Sequence, residues 1–147
     1  MRTKQRTKLA AAVVAIAAGV VLALFAASGP AVAFFSGGLF LDVQVESPAH
    51  LVARGAAVDV PLEVTCNATF ADLQVDVTQK SGSGVARGFG FTSVGCTGSG
   101  QQVTVRVQAS GGKTFKQGVA VASAEIFGCR SNVCGSETDS EVIDIVK

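Results

Sequence analysis

Apolar and polar residues alternate with a period of two along most of the chain beyond position 38. Leu39, Leu41, Val43 and Val45 alternate with Phe40, Asp42, Gln44 and Glu46. Val58, Val60, Leu62, Val64 and Cys66 alternate with Asp59, Pro61, Glu63 and Thr65, and Leu73, Val75 and Val77 with Asp72, Gln74, Asp76 and Thr78. Val103, Val105, Val107 and Ala109 repeat the pattern with Thr104, Arg106 and Gln108. Successive side chains of a strand point to opposite faces, so each run predicts a strand with one buried and one wet face. Pro61 falls on a polar position and lacks a ladder donor, which predicts a sheet edge or a bulge there.

Turn signals separate the runs: Ser47-Pro48, Arg54-Gly55, Ser81-Gly82-Ser83-Gly84, Gly98-Ser99-Gly100 and Gly111-Gly112. Residues 85–94 form a further strand in which Phe89 and Phe91 share one phase and Val94 and Cys96 the other, so a bulge is expected between them. Residues 115–127 have enough alanine for a helix, but their Val/Ala alternation and lack of caps favour a strand. Residues 141–146 close the series. Seven or eight short strands at this spacing predict an all-β domain, an immunoglobulin-like two-sheet Greek-key sandwich of about seven strands.

The first 33 residues do not fit this pattern. Arg2, Lys4, Arg6 and Lys8 precede an uncharged apolar run over 9–28, a Gly29-Pro30 break and the small-x-small triplet Ala31-Val32-Ala33. This is the order of a secretory signal helix with cleavage after Ala33. The alternative is an uncleaved anchor, since a run of this length can span a bilayer. Either way, residues 34–147 form a domain outside the cytoplasm, secreted or outward-facing, with membrane contact only if the segment is retained. Four of the 12 Lys and Arg residues lie in the signal, leaving eight against 11 acids, so the net charge turns from +1 to about −3. A weakly acidic domain without a basic run is a poor nucleic-acid binder.

All four cysteines, Cys66, Cys96, Cys129 and Cys134, lie beyond the signal. An even count in an exported chain reads as two disulfides with three possible pairings. Their spacing favours Cys66–Cys96 and Cys129–Cys134. Zinc would prefer two close pairs, and only one pair is close.

Little else suggests chemistry. His50, the only histidine, sits beside Pro48 in a turn-rich stretch and reads as a polar surface residue, and no GxSxG, HExxH or CxxC occurs. Gly88-Phe89-Gly90 lacks the third glycine of a dinucleotide loop. The acids Glu137, Asp139, Glu141 and Asp144 lack the ligand order of a calcium loop and read as a strand edge protected against edge-to-edge pairing. Asn67-Ala68-Thr69 is a glycosylation triplet, incidental if the alanine- and glycine-rich composition reflects a bacterial source. With neither Trp nor Tyr, the usual stacking platforms for sugars and bases are missing. No catalytic set, metal or cofactor is expected. Phe70, Phe89, Phe91, Phe115 and Phe127 are expected to pack in the core; in the ligand alternative, small Ala120, Ala122 and Ala124 facing such phenylalanines as Phe89 and Phe91 would leave an apolar cleft.

The stretches QKSGSGVARGFGF (79–91), VGCTG (94–98) and GVAVA (118–122) resemble those of small secreted actinobacterial immunoglobulin-like proteins with no established activity. The segment Cys129-Arg130-Ser131-Asn132-Val133-Cys134 is more weakly similar to neocarzinostatin-type apoproteins, secreted seven-stranded sandwiches that hold a chromophore in a cleft. That family has a second short disulfide loop, whereas here the first cysteine pair is thirty residues apart. The resemblance supports the fold more than an activity, whereas the edge strands, the polar exposed faces and the lack of a catalytic set point to a non-enzymatic extracellular module for binding or surface interaction, with a protein or a small molecule as partner. The alternatives are a carrier of a small apolar ligand and a hydrolase inhibitor presenting the Cys129–Cys134 loop.

Overall fold

The computed structural model describes residues 38–147; the expected signal helix lies outside the described residues. The strands are β1 (Leu41–Val45), β2 (Ala49–Val52), β3 (Ala57–Cys66), β4 (Phe70–Ser81), β5 (Gly84–Val94), β6 (Gln101–Ser110), β7 (Gly118–Arg130) and β8 (Val133–Val146). A single 3-10 turn, Ala53–Gly55, is the only helical element among them. Residues 118–130 are therefore strand, as the Val/Ala alternation indicates.

Hydrogen bonding runs β3–β2–β8–β7–β4–β5–β6 and returns to β3 through an eight-residue β3–β6 ladder from Ala57↔Gln108 to Val64↔Gln101. The all-β expectation holds, but the ladder closes into one barrel-like sheet. Closure depends on strands that pair on both sides: β5 pairs with β4 along its length and with β6 at 87–89, and β2 pairs with both β3 and β8. The inward phases of all the long strands fill one core, with Val58, Val60, Leu62, Leu73, Val75, Ile126 and Ile143 at its centre.

Strand β3 corrects the expectation of an edge at Pro61, because it has neighbours on both sides. β1 pairs with its C-terminal half and β2 with its N-terminal half, and Pro61 lies opposite the break between them at the cis Ser47-Pro48 bond. The Pro61 carbonyl accepts from Glu46 N–H at 3.0 Å, so the position of its missing donor faces that break, where no ladder partner is required.

The bulge expected in β5 is also absent. Its ladder with β4 is continuous from Ala71↔Val94 to Ser81↔Gly84. Ala86, Gly88, Gly90 and Val94 face inward, so Phe89 and Phe91 face out. The inward glycines have a steric cause. A Cβ on Gly88 would lie 2.5 Å from the Gln108 carbonyl oxygen and 2.8 Å from Phe115 Cζ, and one on Gly90 would lie 2.6 Å from the Arg106 carbonyl oxygen. Phe115, carried on the β6–β7 connection, is the largest fully buried side chain and fills the space the glycines leave.

The disulfides are Cys66–Cys96 and Cys129–Cys134, as their spacing favours. The second joins directly paired residues of the β7–β8 hairpin, whose tip is the two residues Ser131 and Asn132.

Candidate binding surface

The outer face of β5–β4–β7–β8 is built from the polar phase of each strand, and its rows follow from register. The first row is Ser93–Asp72–Phe127–Ser136, the second Phe91–Gln74–Glu125–Thr138, and the third Phe89–Asp76–Ser123–Ser140. Phe70 begins β4 opposite Cys129, one row before the first. Cross-strand neighbours in such rows have Cβ atoms about 5 Å apart, so these side chains form one continuous surface.

Of the five phenylalanines expected in the core only Phe115 is buried there; Phe70, Phe89, Phe91 and Phe127 lie on this surface, exposed by 52%, 48%, 58% and 44%, because they fall on the outward phase of their strands. Single exposed apolar residues are ordinary, but four phenylalanines on one face, interleaved with Asp72, Gln74 and Glu125, make that face a candidate contact surface. Between Phe91 and Phe127 lies an open depression of about 230 Å³, lined also by Asp72, Gln74 and Glu125. Ser93 Oγ donates to Asp72 Oδ1 at 2.8 Å, and neither Asp72 nor Glu125 has an ion-pair partner among the described residues.

The expected cleft between Phe89, Phe91 and Ala120, Ala122, Ala124 does not form. The alanines occupy the inward phase of β7 and are buried with the core, whereas the phenylalanines stand on the opposite side of the sheet. The error traces to β5: its phase is set by the inward glycines, so the aromatic residues take the outer face.

Other candidate residues have structural partners. His50 lies in β2, exposed, opposite Asp59 in the β2–β3 register. Both Asp59 carboxylate oxygens are taken by Arg106, with Nε to Oδ1 at 2.7 Å and Nη2 to Oδ2 at 2.8 Å. This pairing holds the Asp59 carboxyl below the usual carboxylate range and raises the Arg106 guanidinium above its own. Asn67 clasps the chain before β1: its Oδ1 accepts from Phe40 N–H at 2.7 Å and its Nδ2 donates to the Gly38 carbonyl at 2.9 Å. The glycosylation triplet thus contains an asparagine with a structural use.

Glu137, Asp139 and Glu141 lie on the inner phase of β8, where the strand runs beyond its pairing with β2. Asp139 Oδ2 accepts from Val45 N–H at 2.7 Å across the β1–β8 seam. No group of His, Cys, Asp and Glu among the described residues could hold a metal ion. No helix among them is long and apolar enough to cross a membrane.

No family model matches the chain, and no curated protein matches it. Among solved structures, the chain is similar to AggA, the major subunit of aggregative adherence fimbriae type I from Escherichia coli. The identity is 9% over 74% of this chain and 94% of that one, with a TM-score of 0.36, too distant a likeness to carry a function across.

Proposed function

We propose that the protein is a secreted, non-enzymatic binding domain that engages an extracellular partner through the phenylalanine-bearing outer face of β5, β4 and β7. The observation that carries this reading is the placement of Phe70, Phe89, Phe91 and Phe127 on one solvent face while the core is filled by other residues. Aromatic side chains at contact surfaces supply large area at low entropic cost. Two disulfides suit an oxidising compartment, and export through the segment 1–33 would place the domain there. On this reading the closed sheet is a flattened, immunoglobulin-like sandwich, in keeping with the small secreted actinobacterial proteins that the sequence resembles.

The test is a double variant, Phe91→Ser with Phe127→Ser, compared with the wild type for macromolecules retained from the native extracellular fraction. Both positions are exposed, so stability should change by only about 0.5 kcal/mol each, while a partner held by the wild type is lost. Equal retention by the two proteins would refute the reading.

A further inference from the structure

We propose that the depression between Phe91 and Phe127 receives an arginine side chain presented by a partner protein. The inference rests on the binding-face reading above and assigns the chemistry of its occupant. Three successive rows of the face carry Asp72, Glu125 and Asp76 and no cation. Two of those carboxylates line the depression together with two phenyl rings. Asp72 Oδ1 is occupied by Ser93, which fixes the carboxylate while Oδ2 remains available. Ring faces attract cations, and carboxylates beside them supply acceptors for the N–H groups.

Two further features select among cations. Arginine stacks its planar group on aromatic rings and offers a fork of donors, which lysine does not. The depression is also open, whereas a small-molecule site encloses most of its ligand. Phe70 and Phe89 extend the apolar area one row beyond the depression on either side, so the occupant should project one cation and cover neighbouring rings with apolar groups. A protein surface does both, and arginine is among the residues enriched at interface hot spots.

The probe is a short peptide carrying one arginine flanked by leucines, titrated into the full-length chain and followed by backbone amide NMR shifts. Its counterpart carries citrulline, which keeps the shape and removes the charge. The arginine peptide should shift Asp72, Gln74, Phe91, Glu125 and Phe127, and bind roughly tenfold more tightly than the citrulline peptide at low salt. Asp72→Asn with Glu125→Gln should erase that preference without altering thermal stability. Equal binding of the two peptides, shifts confined to other faces, or binding of phosphatidylcholine vesicles in place of the arginine peptide would each overturn the proposal. The binding-face reading falls separately, when Phe91→Ser/Phe127→Ser leaves partner retention intact. Partner retention lost in that variant, with no preference for arginine over citrulline, refutes only the cation assignment.

Discussion

Gln79 stands on the apolar phase of β4, after Leu73, Val75 and Val77, and is 3% exposed. Its amide replaces a strand neighbour: Oε1 accepts from Lys116 N–H at 2.8 Å, and Nε2 donates to the Lys116 carbonyl at 2.7 Å. This pins the connection that carries Phe115 into the core. Gln79→Leu leaves the Lys116 backbone groups without that partner, so urea unfolding should show a loss of about 2 kcal/mol, the usual cost of unsatisfied buried polar groups. The Asp59–Arg106 pair predicts a pH effect of defined sign. Because the folded Asp59 pKa is lowered, its contribution is present above the ordinary carboxylate pKa and lost as pH falls through the depressed folded value. Asp59→Asn should therefore narrow the stability difference between pH 7 and pH 3, read from thermal midpoints. Gln79 continues the inward phase of Val75 and Val77. Its partner lies 37 residues away in an irregular connection, and no local pattern encodes that contact.

At the scale of elements, β5 shows how a correct strand can be given the wrong face. Apolarity alone puts Phe89 and Phe91 inside, but the crowding of Gln108, Arg106 and Phe115 leaves room for hydrogen atoms only. Gly88→Ala should destabilise the fold by about 1–3 kcal/mol through overpacking, measured by chemical denaturation. Strand β8 was underestimated in length, predicted at 141–146 and observed as Val133–Val146, because its first half is polar on both faces. It is nevertheless held by a full ladder to β7, from Gly118↔Ile145 to Arg130↔Val133. Its other edge pairs with β2 only at 145 and 146 and faces β1 where Asp139 accepts from Val45 N–H, and Asp144 lies on the outer phase, so an edge-guarding role falls to Glu137 and Glu141 and not to all four acids. Replacing Glu137 and Glu141 by threonine should raise self-association, seen as a concentration-dependent mass in sedimentation.

For the whole molecule, strand content and the short Cys129–Cys134 bridge were legible because both follow from local spacing, and the favoured Cys66–Cys96 pairing is what that bridge leaves over. Closure of the sheet was not legible, since β3–β6 and β2–β8 pairing depend on residues about 45 and 96 positions apart. The two disulfides should differ in weight. By loop length, removing Cys66–Cys96 should cost about 3.5 kcal/mol and removing Cys129–Cys134 about 2 kcal/mol, comparing paired alanine variants by denaturation.

The seam between β1 and β8 has a kinetic consequence. The Val45 amide faces β8 and is held there by a side chain, and backbone alternation turns the Leu41 and Val43 amides the same way without a ladder partner. β4, in contrast, is laddered on both sides. In hydrogen–deuterium exchange, β1 should therefore open as a separate low-energy unit while β4 exchanges only through global unfolding. Asp139→Ala should accelerate exchange of Val45 and leave Val75 and Val77 unchanged. The barrel thus has a defined place at which it begins to come apart.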